Sequence, residues 1–202
     1  MRVELKRGTL NDLFTLKELV SMNYIDTCDK DITQAYITEY IDKTFTIPKL
    51  SKELTREDSL FYLMYVDKKL VGYTKLNKYE AQLDIKSPKS LEIEKIYILK
   101  DYQSKGLGKT LLNEIIRIAK NDNKEFIWSG VLEKNKNAIS LFSMGKNIFL
   151  NIKPISYLYN NHDVVGDYYF SGNNKIISSF LKELDIKYPI KRNEKMEIDE
   201  HE

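Results

Sequence analysis

One cysteine and two histidines in 202 residues leave this chain little with which to build disulfides or metal centres. Cys28 alone cannot close an intrachain disulfide, and no sequence pattern beside it defines a base that would make it an acyl-carrying nucleophile. Of the histidines, His162 reads as a surface or structural residue and His201 lies in an acidic tail, so no metal is expected. No apolar run approaches the roughly 20 residues that span a bilayer. The start, Met-Arg-Val-Glu-Leu-Lys, lacks the apolar core of a secretory leader, so a cytoplasmic protein without membrane association is the expectation. The 32 basic and 30 acidic side chains nearly cancel, which argues against the concentrated basic face of a nucleic-acid binder. What remains is 42% hydrophobic and 31% charged, enough to bury a core.

The pattern along the chain is mixed strands and helices around one sheet, an α/β class. Val3 to Lys6 reads as an opening strand, and Thr9 with Asp12 as a capping pair before a helix with Leu13, Leu16, Leu19 and Val20 on one face. Thr33 is placed to cap a second helix carrying Tyr36, Ile37, Tyr40 and Ile41, with a third short helix around Lys49 to Thr55. Leu60 to Val66 and Leu70 to Tyr79 form a hairpin about Asp67-Lys68-Lys69, and Leu91 to Leu99 is the next strand. A helix then runs from about Gly108 to Lys120, followed by a strand at Phe126 to Leu132, a helix at Asn137 to Ser143 and a last core strand at Val164 to Phe170. Residues 1–170 make one domain. Ile177, Phe180, Leu181 and Leu184 predict a helical extension over 171–193, and residues 194–202, five of nine acidic, an unordered tail.

Gln103-Ser104-Lys105-Gly106-Leu107-Gly108-Lys109 joins the apolar Ile96-Tyr97-Ile98-Leu99 to the helix. Strand, glycine-bearing basic turn and helix N-terminus make an anion cradle, because the first helical N–H groups have no intrahelical partner and the dipole favours negative charge there. A dinucleotide fingerprint needs a third glycine, which Leu111 replaces, and a triphosphate loop needs glycine where Gln103 stands.

Gln103, Gly106 and Gly108 match the Gln/Arg-x-x-Gly-x-Gly/Ala pattern of the GCN5-related N-acetyltransferases (GNAT), which the chain resembles. Ile127 to Ile139 looks like that family's fifth strand and following helix. Asp58 to Tyr62, Lys69 to Asn77 and Glu92 to Leu107 resemble the bacterial polyamine N-acetyltransferases related to the sporulation regulator PaiA. The resemblance covers about residues 1–170. It implies a mixed, mostly antiparallel central sheet flanked by helices, with the C-terminal segment added. It also implies acetyl-CoA as cosubstrate, a small-molecule amine as acceptor, and room for a homodimer.

The same resemblance assigns residues. The backbone of Gln103, Ser104, Lys105, Gly106, Leu107, Gly108 and Lys109 would bind the coenzyme-A pyrophosphate, with Gly106 and Gly108 providing room. Ile98 and Leu99 match the strand end that pairs with the pantetheine amides, and Asn135 matches an asparagine on the cofactor arm, where a helix cap is the alternative. Period-two alternation puts Glu92, Glu94, Ile96 and Ile98 on one strand face and Ile93, Lys95, Tyr97 and Leu99 on the other. Glu94 matches a carboxylate of related diamine acetyltransferases and is the first base candidate, with Glu92 able to exchange roles with it or bind a substrate cation. Tyr24, Asp26, Thr27, Tyr36 and Tyr40 fall in the region that lines the acceptor groove in this fold.

The run Ala138-Ile139-Ser140-Leu141-Phe142 departs from the family's Ala-Ile-x-Phe-Tyr. Phe142, at the cofactor side, keeps a ring but has no proton for the departing thiolate, and Gly145 comes too early for the usual Gly-Phe pair. Either a thiol of pKa about 8.5 leaves without a dedicated acid, or Tyr97, Tyr157 or Tyr168 supplies the hydroxyl, or the protein binds acetyl-CoA chiefly to regulate. A protein amino group is the other enzymatic alternative.

Overall fold

The computed structural model describes residues 2–28, 30–132, 134–144, 151–159, 162–172 and Ile177. Seven strands form one sheet: β1 (Val3–Arg7), β2 (Ser59–Val66), β3 (Lys69–Asn77), β4 (Ser90–Ile98), β5 (Phe126–Leu132), β6 (Asn151–Tyr159) and β7 (His162–Gly172). Their order is β1-β2-β3-β4-β5-β7-β6. Every pairing is antiparallel except β4 with β5. The helices are α1 (Leu13–Thr27), α2 (Gln34–Thr44), α3 (Ile47–Leu54), α4 (Leu107–Asn121) and α5 (Lys136–Met144). The mixed, mostly antiparallel sheet flanked by helices is the architecture expected.

Local chemistry accounts for the helix starts. Asp12 Oδ2 accepts from the Thr9 N–H and hydroxyl, both at 2.9 Å, ahead of α1. Thr33 Oγ1 accepts from Tyr36 N and opens α2. The sheet separates two cores. On one side Leu111, Leu112, Ile115 and Ala119 of α4 pack with Val71, Leu76, Leu91, Ile93 and Ile127. On the other, Leu16, Leu19 and Val20 of α1 and Leu50 and Leu54 of α3 cover Phe61, Leu63, Tyr73 and Tyr97.

β6 has no counterpart in the expectation drawn from the sequence. Pro154 stands within it, and proline removes a ladder donor, which argues against a central strand. The sheet order explains its tolerance: among the described strands β6 is the last, with a neighbour on one side only. Of the predicted helical extension, Ser171 and Gly172 instead finish β7, and Ile177 is helical and fully buried; the rest of 171–193, the tail at 194–202, and Gly145 to Asn147 lie outside the described residues.

Two irregularities of β4 shape everything near it. Lys75 pairs with Lys95 and Leu76 with Ile93, so Glu94 is an extra residue with no partner on β3: a β-bulge. Simple alternation therefore fails. Ladder partners share a sheet face, so Glu92 lies with Asn77, and Tyr97 with Tyr73, on the α1–α3 side, while Ile96 and Ile98 turn to the α4 side. Glu92 and Glu94 do share a face, but with Tyr97 rather than with Ile96 and Ile98. In addition, β4 pairs with β5 only over Ser90 to Glu92 against Phe126 to Trp128, after which the strands part. Ser129 Oγ donates to Ile93 O at 2.8 Å, a side-chain bridge where the gap begins.

β3 runs tight against the splayed end. An ideal Cβ at Gly72 would lie well inside contact distance of the Tyr97 carbonyl oxygen and 2.9 Å from Ile98 Cδ1. The obstruction is backbone, which cannot step aside without moving β4. Gly72→Ala is expected to cost about 2–4 kcal/mol in urea unfolding; an unchanged midpoint would show that the two strands are not so closely held.

Candidate active site

Past the bulge, β4 is hydrogen-bonded on one edge only. Leu99 N donates to Val71 O at 2.8 Å, which makes the Gly72–Ile98 pair a non-hydrogen-bonded one. The N–H and C=O of Ile98 and, two residues back, of Ile96 therefore point from β3 towards the gap. Gln103 Nε2 donates to Ile98 O at 2.8 Å and takes up that carbonyl. Of the two strand-end residues named from the sequence, Ile98 faces the gap by its backbone and Leu99 does not. Leu99 has spent its N–H on Val71, and its C=O accepts from Tyr102 N at 2.8 Å. Ile96 was missed, since its outward edge becomes apparent only once the ladder is known.

The turn that follows opens onto α4. Gly106 is the N-cap, in the left-handed region at φ +78°, with no side-chain cap and no heavy atom within 4 Å of where a Cβ would stand. Thr110 N makes the bond back to Gly106 O at 3.1 Å, so the amides of Leu107, Gly108 and Lys109 are those a helix start leaves unpaired. The two glycines differ in role. A Cβ on Gly108 would come 2.8 Å from Leu141 Cδ1, so its smallness serves the packing of α4 on α5. Ser104 also takes a positive φ, +58°. Lys105 folds back, donating to Asp101 O at 2.7 Å and lying 5.1 Å above the Tyr102 ring, whereas Lys109 is exposed. The Leu107 side chain is core.

On the α1–α3 side, the bulge presents the carboxylates. Glu94 Oε2 lies 2.7 Å from Lys75 Nζ and accepts from Asn77 Nδ2 at 2.7 Å; its side chain is 15% exposed. Lys75 also reaches Glu53 Oε2 at 3.1 Å. Glu92 is 1% exposed, and its Oε2 accepts from the same Asn77 Nδ2 and from Leu83 N, each at 3.0 Å. Asn77 Oδ1 is buried with no hydrogen-bond partner among the described residues, a cost of about 1–3 kcal/mol tolerated while Nδ2 serves two carboxylates. Gln82 holds the loop over Glu92: its Oε1 accepts from Ser90 Oγ at 2.6 Å and Trp128 Nε1 at 2.9 Å, and its Nε2 donates to Ser87 O at 3.0 Å.

These surroundings set opposite proton affinities. Burial pushes the Glu92 carboxyl up, the Asn77 and Leu83 donors pull it back, and the Glu94 and Asp84 charges raise it again, leaving it at about 7. Burial also acts to raise Glu94, but the charge and hydrogen bond of Lys75, with Asn77 and Lys95, outweigh it and hold the group below the ordinary carboxylate value.

The five acceptor-groove candidates fall into separate groups. Tyr24 and Tyr40 stack on each other at 4.2 Å with an 11° interplanar angle, and Phe45 meets both edge-on. No chain can pass between those two rings. Tyr36 is 55% exposed, and the Thr27 hydroxyl donates into its own helix, to Asn23 O and Tyr24 O. Asp26 instead joins the end of β4: Oδ2 accepts from Tyr97 OH at 2.6 Å and Oδ1 pairs with Lys100 Nζ at 2.6 Å. Burial, then the Asp26 hydrogen bond and charge, raise the Tyr97 phenol above its ordinary value. Its proton is directed at Asp26. Tyr157, Tyr168 and His162 have side chains outside the described part of the structure. Phe142 is 1% exposed and stacks on Tyr169 at 5.2 Å between centroids, a core position. Asn135 Oδ1 accepts from Ala138 N at 3.1 Å and caps α5, and the Cys28 N–H donates to Tyr24 O at 3.0 Å, closing α1. Among the described residues there is no cluster of three or more potential metal ligands, and no helix long and apolar enough to cross a membrane.

The profile described as the acetyltransferase (GNAT) family matches residues 25–145. An uncharacterised N-acetyltransferase of Lactobacillus delbrueckii subsp. lactis is 35% identical over 120 residues, 59% of this chain and 69% of that protein. The spermidine N(1)-acetyltransferase of Thermoplasma acidophilum is 29% identical over 124 residues, 59% of this chain and 72% of that protein. Among solved structures, the PaiA N-acetyltransferase of Thermoplasma acidophilum in complex with coenzyme A superposes with a TM-score of 0.63 at 24% identity, covering 83% of this chain and 98% of that one.

Glu92 also links the site to stability. A carboxyl that holds its proton more tightly when folded contributes stability that is whole below its ordinary value of 4.5 and is lost as pH rises through about 7. Glu92→Gln, uncharged throughout, is expected to exceed the parent protein by on the order of 2 kcal/mol at about pH 8 and to match it near pH 5. Urea unfolding at the two pH values checks this; equal differences at both would place the buried proton elsewhere.

Proposed function

This chain belongs to the acetyltransferase (GNAT) family, and on that premise we propose that it transfers an acetyl group from acetyl-CoA to a primary amine, with a polyamine or small polycation as acceptor. The observation that carries the reading is a coincidence of position: the bulge that presents Glu94 stands where β5 leaves β4. A carboxylate for a cationic amine, Glu94, and an open strand edge for an extended acyl carrier, Ile96 and Ile98, thus meet on one short stretch of β4.

The chain has the features such a carrier requires. The uncapped start of α4, open at Gly106 and flanked by exposed Lys109, suits a pyrophosphate. The outward N–H and C=O of Ile96 and the N–H of Ile98 suit amide groups of an extended arm. When bound, acetyl-CoA supplies a thioester whose acyl carbon accepts the nucleophile and whose thiolate departs. Glu94, the more exposed carboxylate, holds the ammonium group or a water beside it, and its lowered proton affinity makes it an anchor more than a strong base. The likeness to the spermidine N(1)-acetyltransferase supports a polyamine acceptor.

A second reading, binding of acetyl-CoA with little turnover in a regulatory role, draws on Phe142. The position lacks a hydroxyl, and its ring is committed to the core against Tyr169.

A thiol-release assay across a panel of amines, with mass analysis of products, separates the two. Acetylated di- or polyamine is expected, and Glu94→Gln is expected to lower kcat/KM by roughly 100-fold or more while coenzyme-A affinity stays unchanged. Cofactor binding without any acetylated amine over a pH series would favour the regulatory reading.

A further inference from the structure

The proposed reaction gives Glu92 no contact with an acceptor, because that carboxyl is 1% exposed and roofed by the loop held through Gln82. Its environment is nonetheless specific. Lys75 arrives from β3 opposite the bulge and contacts Glu94 at 2.7 Å and Glu53 at 3.1 Å, whereas the hydrogen bonds that reach Glu92 come from two neutral donors, Asn77 Nδ2 and Leu83 N. Among the described residues, one carboxylate has a cation against it and the other has none. A buried carboxylate beside an ammonium keeps its charge, and one with only neutral donors in an apolar setting exchanges it for a proton. The single amide nitrogen of Asn77 touches both, so the two are held together while their charges are treated differently.

We propose that Lys75 and Asn77 divide the pair into a fixed anion, Glu94, that meets the acceptor's ammonium group, and a buried group, Glu92, whose gain or loss of one proton sets how strongly the cluster attracts that ammonium. The inference rests on the reading of the acceptor as an amine. The charged groups acting on Glu92 are Glu94 on its own strand and Asp84 in the covering loop; Lys75 on β3 contacts Glu94 and, on α3, Glu53, and Trp128, the neighbour of Glu92 on β5, adds no charge. Ionisation of Glu92 adds one negative charge beside the Glu53–Lys75–Glu94 group. Attraction for a polycation therefore grows as pH rises through neutrality. Lys75 and Asn77 act through the carboxylates and are positioning residues.

Two measurements on the full chain test this without requiring turnover. Carboxyl carbons of the glutamates are followed by nuclear magnetic resonance from about pH 5 to about pH 9, and the affinity for 1,4-diaminobutane is measured by calorimetry near each end. One carboxyl, assigned to Glu92, is expected to titrate near neutrality, and the diamine is expected to bind roughly five- to tenfold more tightly at the upper end. Glu92→Gln should remove both the titration and the gain. Lys75→Met should raise the Glu94 titration towards that of Glu92, and Lys75→Arg should leave it low. A near-neutral titration belonging to Glu94, or a gain in affinity that survives Glu92→Gln, overturns the proposal. Should Glu92→Gln fail to fold, the assignment in the unsubstituted protein decides it. If the carboxyl and the affinity behave as stated but no amine is acetylated, this inference stands and the acetyltransfer reading falls. If amines are acetylated but affinity ignores Glu92, the reverse holds.

Discussion

Between Ile93 and Ile98, β4 keeps β3 on one edge and loses β5 on the other, and the rest of the site depends on that loss. A parallel pair that continued would have closed the outward N–H and C=O groups of Ile96 and Ile98 into a ladder. Because the strands part, backbone donors and acceptors stay open in a partly buried setting, and a ligand able to extend beside them meets groups already oriented. Gln103 occupies the last of these carbonyls with its side chain and thereby ties the following turn to the strand. Gap and turn are parts of one structure.

The bulge adds a second consequence at the same place. Inserting Glu94 without a partner reverses which residues face α1 and α3, so the carboxylates gather with Lys75, Asn77, Tyr73 and Tyr97 while Ile96 and Ile98 enter the α4 core. Charge then separates two like residues. Lys75 holds Glu94 as an anion, and burial under the loop at Leu83 leaves Glu92 near 7. Asn77 leaves its own oxygen unpaired in joining them.

The acceptor side shows how helix position alone misleads. Tyr24, Asp26, Thr27, Tyr36 and Tyr40 are near in sequence, but a helix turns by about 100° per residue. Tyr24 is accordingly directed to α2, where it stacks on Tyr40, and Asp26 to the end of β4, where it holds Tyr97 and Lys100. The hydroxyl that Phe142 lacks is not replaced freely by Tyr97, whose proton already bridges to α1.

By itself the sequence determined what local rules encode. Hydrophobic periods located α1, α4 and most strands, Thr33 and the Thr9–Asp12 pair marked helix starts, and Gly106 before an amphipathic run marked an anion-ready helix end. β6 escaped because Pro154 is excluded from a strand only when both edges are paired, and position in the sheet is not a local property. Tertiary structure alone decided that Ile96 rather than Leu99 opens to the gap, that Gly108 serves helix packing, and that Glu92 and Glu94 differ in proton affinity. Each depends on a partner distant in the chain — Val71, Leu141, Lys75 — and on a register that a single inserted residue shifts.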